Sequence, residues 1–238
     1  VKEGKDESEN EIIRKWGKPA EFSFEPKDHL AIGEALDIID VERAAKVSGS
    51  RFGYLKNEAA LLEFAIIQYA LDRIVRQHQF IPMVPPVMIS SASMRAMGYL
   101  EHGGDTETYH FPQDDLYLVG TSEQSVGPYH GNEMLAAEDL PLRYCAFSTC
   151  FRREAGAAGK DTRGILRSHQ FDKLEMFVYC RPEDSDAEHA RIVAIQEELM
   201  QGLSLAYRVV KLCTGDLGKP SARTYDIETW MPSQDTYR

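Results

Sequence analysis

Several features that identify common protein classes are missing from this sequence. The four cysteines are scattered, and none forms a CxxC pair or has partner histidines at metal-finger spacing, so we expect neither a zinc site nor a disulfide framework. No apolar run is long enough to span a bilayer, and the first ten residues are charged, unlike the apolar core of a signal peptide. These absences predict a soluble, cytoplasmic protein with reduced thiols and no membrane partner.

Positive charge is also scarce, because 27 Lys and Arg residues are outnumbered by 38 Asp and Glu residues and the net charge is -11. This balance argues against broad, sequence-independent nucleic-acid binding, which needs clustered basic side chains. One local concentration falls within sixteen residues and consists of Arg152, Arg153, Lys160, Arg163 and Arg167. The cluster is either a solvated charged face or a local basic groove.

Glycine-rich phosphate motifs of the GxGxxG and GxxxxGK[ST] types are absent, so any phosphate chemistry must use another device. The hydrophobic pattern predicts two helices, at residues 57–78 and 186–204, and strands at residues 115–119, 142–147, 149–154, 170–180, 207–212 and 224–231. Strands joined by neighbouring turns predict an α+β domain over residues 19–238, with a mainly antiparallel sheet flanked by helices. Residues 1–18 are polar and predict a linker or leader.

The predicted strand around Phe171 combines aromatic and charged side chains. A period of two places Phe171, Lys173 and Glu175 on one face, with about 13 Å between the first and the last. Arg152 and Glu154 are also two residues apart, and they share this face if the two strands pair. A guanidinium binds phosphate, an aromatic ring stacks on a nucleobase, and a carboxylate accepts hydrogen bonds from an amino group. The pattern predicts either an ATP site or a surface hairpin with ordinary cross-strand pairs.

Residues 151–175, FRREAGAAGKDTRGILRSHQFDKLE, closely resemble motif 2 of the class II aminoacyl-tRNA synthetases, in the form found in bacterial-type seryl-tRNA synthetases. Three further segments are similar to the same family: GSRF at residues 49–52, TSE at residues 121–123 and YDIETWMP at residues 225–232. The resemblance covers essentially the whole chain from about residue 10. It implies the catalytic domain of a class II synthetase.

The resemblance implies a set of ATP-binding residues. The motif 2 arginine that contacts the α-phosphate in the family corresponds to Arg152, and the glutamate that faces the adenine amino group corresponds to Glu154. These two are the implied catalytic residues. Phe171 matches the phenylalanine that stacks on adenine, while Arg153 and the backbone at Ser168 complete the implied nucleotide site.

A serine pocket is implied in the same way. Thr121, Ser122 and Glu123 match the serine-pocket element of the family, and Glu175 matches the glutamate that holds the substrate serine. Arg152 is shared between this pocket and the nucleotide site. The implied reaction is ATP-dependent activation of L-serine, followed by transfer to tRNA(Ser).

The resemblance also implies partners and limits. Mg²⁺ is expected with ATP, without zinc and without a metal ligand in this chain. Residues 80–86 resemble motif 1, which builds the homodimer interface with the helix before it; from the pattern alone, that helix predicts core packing. Gln79 stands where glycine is usual. The chain starts after the family's tRNA-binding coiled-coil arm and stops before motif 3, so we expect an incomplete catalytic domain.

Two other functions remain as alternatives. A synthetase-like ligase that loads amino acids onto a carrier protein forms the same adenylate and lacks the tRNA arm, but such ligases resemble a zinc-dependent branch whose ligand set is not found here. A non-catalytic synthetase-like module for binding or dimerisation is the second alternative. The presence of Thr121, Arg152, Phe171 and Glu175 argues against it.

Overall fold

The computed structural model describes residues 1–100, 104–155, 163–218 and 220–238. Lys160 of the basic cluster lies outside these ranges. Internal contacts divide the chain into two compact units: a central unit, His29–Asp184, and a terminal unit that combines Val1–Asp28 with Ser185–Arg238. This division differs from the predicted boundary after residue 18. None of the helices in the described ranges is long and apolar enough to cross a membrane.

The described residues form α-helices and β-strands. The α-helices are α1 His29–Ala35, α2 Val41–Ser48, α3 Asn57–Leu71, α4 Ser91–Ala96, α5 Glu123–Val126 and α6 Ser185–Gly202. The strands are β1 Glu11–Trp16, β2 Ile39–Asp40, β3 Tyr54–Leu55, β4 Ile81–Met83, β5 Met88–Ser90, β6 His110–Phe111, β7 Leu116–Leu118, β8 Leu142–Phe151, β9 Gln170–Tyr179, β10 Tyr207–Lys211, β11 Tyr225–Met231 and β12 Thr236–Tyr237.

Three small sheets build the central unit, with strand orders β2-β3, β4-β8-β9 and β5-β7-β6. All neighbouring strands in them are antiparallel except β4 and β8, which run parallel. Tyr144 and Ala146 of β8 form a buried cluster with Val126 of α5, so this short helix packs on the sheet that contains β9. The prediction of a mainly antiparallel α+β fold is confirmed.

The terminal unit is an antiparallel sheet in the order β1-β10-β11-β12, packed against α6. Its core joins Val193 of α6 to Tyr207 and Val209 of β10. The prediction of a leader over residues 1–18 is wrong for β1, which pairs with β10 along its length. All six side chains of β1 are exposed, so the strand lacks the alternation of buried and exposed positions that identifies strands in a sequence.

Strand β8 is longer and ends earlier than predicted. It is one continuous strand, so the two strands predicted at residues 142–147 and 149–154 are a single element. Ser148, the residue between them, stays in the ladder opposite Lys173. The strand ends before Glu154, whose φ of 51° is incompatible with extended backbone.

The helix predicted at residues 57–78 is α3, continued by a π-helical segment at Asp72–Gln77. Leu61 and Phe64 of α3 are 69% and 65% exposed, so the prediction of core packing is wrong for them, whereas Ile74 is 2% exposed and belongs to the core. A helix that leaves large apolar side chains open to solvent has a surface suited to binding another protein.

Gln79 makes the turn that leads from this helix into β4. Its φ of 61° lies in the left-handed region, which L-residues with a Cβ adopt only at an energetic cost and which glycine adopts readily. The glycine that is usual in motif 1 therefore has a conformational role, and the turn forms here with glutamine in its place.

Candidate active site

The face of β9 that carries Phe171, Lys173 and Glu175 forms the floor of the candidate site. The three residues alternate along a regular strand that pairs with β8 over its whole length, so their side chains share one face as predicted. Ala146 lies opposite Glu175 and packs with Val126 of α5. The helix α5 and the turn before it therefore border this face.

Three polar side chains converge where that turn meets β9. The Thr121 hydroxyl donates a 2.5 Å hydrogen bond to Oε2 of Glu175, and Nζ of Lys173 lies 2.6 Å from the same oxygen. Lys173 also donates to Oγ1 of Thr121 at 3.0 Å. Thr121 is buried, and the side chains of Lys173 and Glu175 are 32% and 20% exposed. Because both donors use Oε2, the second carboxylate oxygen is left for a ligand.

The turn itself is held by its own side chains. The buried amide oxygen of Gln124 accepts a 2.8 Å hydrogen bond from the backbone N–H of Gly120. Oγ1 of Thr121 accepts from the backbone N–H of Glu123 at 3.3 Å. The first contact holds the turn, and the second holds the Thr121 hydroxyl.

Glu123 and Ser122 lie in surroundings that differ from that of Thr121. The Tyr99 hydroxyl donates to Oε2 of Glu123 at 3.1 Å. Burial raises the pKa of Tyr99 well above its usual value, and the Glu123 carboxylate raises it further, so the phenol keeps its proton. The Ser122 hydroxyl is fully buried and has no hydrogen-bond partner within the described part of the chain. Of the three predicted serine-pocket residues in this turn, only Thr121 contacts Glu175 in the structure.

Arg152 joins the two halves of the site. Its Nε donates a 3.1 Å hydrogen bond to the carbonyl oxygen of Gly120, the residue before Thr121. Its guanidinium carbon lies 5.1 Å from the centre of the Phe171 ring, in cation–π geometry. The predicted phosphate-binding cation and the predicted base-stacking ring are therefore in direct contact.

Arg153 and Glu154 point to other neighbours. The Arg153 guanidinium lies 5.7 Å from the centre of the Tyr109 ring. Glu154 forms a 2.8 Å ion pair with Arg167, and the Glu154 side chain is only 11% exposed. The predicted arrangement, with Glu154 two residues after Arg152 on one strand, is wrong because the strand has already ended.

A cavity of about 580 Å³ opens beside Phe171 and Ser168. Its wall includes Glu63 and Asp172, and burial raises the pKa of Glu63, with a smaller contribution from the Asp172 carboxylate. The Ser168 hydroxyl donates to the Gln170 carbonyl oxygen at 2.9 Å. This volume is in the range of small-molecule binding pockets.

Lys173 and Tyr99 were not predicted as site residues, although Lys173 contacts Thr121 and Glu175 and Tyr99 contacts Glu123. Lys173 was on the predicted face, and its position between two site residues on one strand was a usable signal. Tyr99 lies 24 residues before Glu123, and nothing in the local pattern marks it.

A comparison with protein families identifies the fold that produces this site. Residues 108–238 match the model of the tRNA synthetase class II core domain that serves the G, H, P, S and T enzymes. The chain belongs to this family.

Individual class II synthetases are similar over nearly the whole chain. The serine–tRNA ligase of Leifsonia xyli subsp. xyli is 50% identical over 232 residues, which are 98% of this chain and 54% of that protein. The seryl-tRNA synthetase of Pyrococcus horikoshii, solved with ATP, superposes with a TM-score of 0.94 at 44% identity, covering 99% of this chain and 57% of that one. The cytoplasmic serine–tRNA ligase of Naegleria fowleri, solved with AMP, gives 0.92 at 31% identity with the same coverage. The chain thus spans about half the length of the relatives it matches.

Proposed function

We propose that this chain carries the catalytic core of a serine–tRNA ligase, which activates L-serine with ATP and transfers it to tRNA(Ser). The observation that carries the proposal is the convergence of Thr121, Lys173 and Glu175 next to Arg152 and Phe171. Similar proteins named as serine–tRNA ligases, two of them solved with ATP or AMP, support the same reaction.

The reaction has two steps. An oxygen of the serine carboxylate attacks the α-phosphorus of ATP, the bond to the bridging oxygen breaks, and pyrophosphate leaves with the electron pair. The 3′-terminal ribose hydroxyl of the tRNA then attacks the seryl carbonyl and releases AMP. Arg152 stabilises the charge that develops at the α-phosphate, so catalysis depends on positioning and electrostatics and needs no covalent protein nucleophile.

The nucleotide half of the site consists of Arg152, Arg153, Glu154, Ser168 and Phe171. The Phe171 ring stacks on adenine and Glu154 accepts a hydrogen bond from its amino group, while the Ser168 backbone and Arg153 complete the contacts. The Arg152 guanidinium lies over this ring. Nucleotide binding therefore either moves the guanidinium towards the phosphates or uses the opposite ring face.

The serine half of the site uses Thr121, Ser122, Glu123 and Glu175, with Arg152 at its border. A pocket that hydrogen-bonds a hydroxyl rejects an analogue without it by about 10⁴ to 10⁵, because its polar groups would stay buried and unpaired. Alanine is refused on this ground. Threonine keeps the hydroxyl and adds one methyl group, which shape alone disfavours by only about 1 to 3 kcal/mol.

Magnesium enters the reaction bound to ATP, where it bridges phosphate oxygens. In the ranges that the structure describes, no group of three or more His, Cys, Asp or Glu side chains is placed to hold a metal ion. In this proposal MgATP is the substrate.

The remaining partners follow from the same proposal. The protein acts in the cytoplasm as a homodimer, with α3 and residues 80–86 at the interface. Support comes from the apolar side chains that α3 leaves exposed, and Val84, beyond β4, is 81% exposed. The acceptor of the activated serine is tRNA(Ser).

Serine-dependent exchange of pyrophosphate into ATP tests the proposal, measured on the protein encoded by the complete reading frame. Exchange with serine and none with alanine or glycine is expected, with weak exchange at most with threonine. Equal exchange with alanine, or none with serine, would overturn the assignment. Transfer of the activated serine to tRNA and not to a carrier protein separates this function from a carrier-protein ligase, and any exchange separates it from a non-catalytic module.

A further inference from the structure

A histidine at the start of α1 holds the backbone of a loop far along the chain. Nε2 of His29 accepts a 3.1 Å hydrogen bond from the backbone N–H of Ile165, 136 residues later. The neighbouring Gly164 has a φ of 78°, and a Cβ there would lie 2.0 Å from the same nitrogen. Only glycine allows the loop to lie this close to the imidazole, so the contact is specific to both residues.

The held segment is the return limb, residues 163–169, which leads into β9. At its far end the Arg51 carbonyl oxygen accepts a 3.0 Å hydrogen bond from the backbone N–H of His169. The Phe52 ring also packs on the His169 ring, with 5.3 Å between the centres. Contacts from both ends therefore position the limb, and His29 supplies the one near its beginning.

The return limb bears directly on the nucleotide half of the proposed site. The Arg152 backbone N–H donates to the His169 carbonyl oxygen at 3.0 Å, and Nδ1–H of His169 donates back to the Arg152 carbonyl oxygen at 2.9 Å. Arg167 of the limb forms the ion pair with Glu154. A shift of the limb would move the backbone of Arg152 and the partner of Glu154 together.

We propose that His29 is a positioning residue for ATP, acting through the return limb and not by contact with the nucleotide; this inference rests on the proposed function. The Ile165 N–H needs an acceptor, and Nε2 can accept only as a neutral imidazole with its proton on Nδ1. Without this acceptor the beginning of the limb is released while its end stays tied to Arg51. Arg167, which lies nearer the released beginning, then no longer holds Glu154 in a fixed position relative to Arg152, and ATP binding weakens more than serine binding.

Three substitutions separate the acceptor from the rest of the side chain. His29→Gln places an amide oxygen as many bonds from Cα as Nε2, so it can still accept from Ile165. His29→Asn places its oxygen at the distance of Nδ1, and His29→Ala removes the acceptor. Glu34→Gln is the matched control, since Glu34 is exposed on the same helix.

Amide hydrogen exchange of the chain tests the contact itself. Protection of the Ile165 amide should fall about fivefold or more in His29→Ala and His29→Asn, the size expected for one neutral hydrogen bond. It should be kept in His29→Gln and Glu34→Gln. Unchanged protection in His29→Ala would overturn the proposal.

Calorimetric titration with ATP and pyrophosphate exchange test the consequence, on the protein encoded by the complete reading frame. The Kd for ATP should rise about tenfold in His29→Ala and His29→Asn and less than about threefold in His29→Gln, with the KM for serine unchanged within about twofold. Equal ATP affinity in all variants, or equal losses in His29→Gln and His29→Asn, would refute the role of His29. ATP binding by the wild type without serine-dependent exchange would instead overturn the proposed function alone.

Discussion

The two compact units use charged side chains in different ways. In the terminal unit, Arg208 and Glu228 stand directly opposite each other on β10 and β11 and form a 2.5 Å ion pair. In the central unit, Lys173 and Glu175 are neighbours on one face of a single strand, and both turn to Thr121 on a different element. The first arrangement joins two strands, and the second gathers three groups around one point.

This difference helps to separate a structural ion pair from a candidate site. A cross-strand pair satisfies both partners within the sheet and contributes modestly to stability. Converging donors that share one carboxylate oxygen leave the other oxygen able to accept a hydrogen bond from a ligand. The arrangement around Thr121 therefore suits a binding pocket better than a sheet contact.

Exchanging one glutamate in each unit for glutamine gives the largest contrast. Glu175→Gln should lower kcat/KM for serine in pyrophosphate exchange by about 10² to 10³, because the amide carries no charge and presents a donor towards the substrate. Glu228→Gln should leave this value within about threefold. A similar loss of kcat/KM in both variants would contradict the distinction between the Glu175 site and the Arg208–Glu228 sheet pair.

Replacing the cation in each unit should have a smaller effect. Lys173→Met removes the donor shared by Thr121 and Glu175, so we expect the KM for serine to rise about tenfold. Arg208→Met should leave the KM unchanged and lower the free energy of unfolding by no more than about 1 kcal/mol, as for other partly exposed pairs. Urea denaturation and exchange kinetics measure the two effects separately.

Acid sensitivity tests a structural ion pair of the terminal unit, between Arg14 and Glu197. Hydrogen bonds from Arg14 lower the pKa of Glu197 against the opposing effect of burial. Because the pKa of Glu197 is lower in the folded state, the pair stabilises the protein at a pH above the unfolded-state pKa of about 4.3. This stabilisation is lost as the pH falls through the folded-state pKa. Glu197→Gln should therefore cost up to about 1 kcal/mol at neutral pH and nothing at about pH 2. A cost that does not change with pH would contradict this interpretation.

Ser122 should give the smallest effect of all. Its buried hydroxyl has no partner in the described residues, so Ser122→Ala removes an unsatisfied polar group and should leave the melting temperature unchanged or slightly higher. A fall of more than about 4 °C, equivalent to roughly 1 to 2 kcal/mol for a chain of this size, would mean that the hydroxyl has a partner. An unchanged KM for serine in the same variant would remove Ser122 from the proposed pocket.

Much of the candidate site is predictable because a strand imposes a simple rule. The alternation of side chains along β9 is enough to place Phe171, Lys173 and Glu175 on one face. This inference needs only local spacing. Arg152 contacts Phe171 although it lies one residue beyond the end of β8.

Other features are beyond the reach of local spacing. No periodicity connects His29 to Ile165 or Tyr99 to Glu123, since each pair is formed by the tertiary fold. The prediction that Glu154 lies on one strand with Arg152 is wrong because the positive φ of Glu154 is incompatible with the extended backbone that a period of two requires. Strand β1 was missed because its side chains are exposed on both faces, so the hydrophobic pattern carries no information about it.

Strand β1 has a further consequence for the synthesis of the protein. Glu11 pairs with Lys211, two hundred residues later, so β1 leaves the ribosome long before its partner exists. At about 5 to 20 residues per second this delay lasts about 10 to 40 s. The β8–β9 hairpin, by contrast, closes over fewer than twenty intervening residues and can form while synthesis continues. Charged residues at half of the six positions of β1 discourage premature pairing during this wait, so the strand that is made before its partner is suited to pairing late.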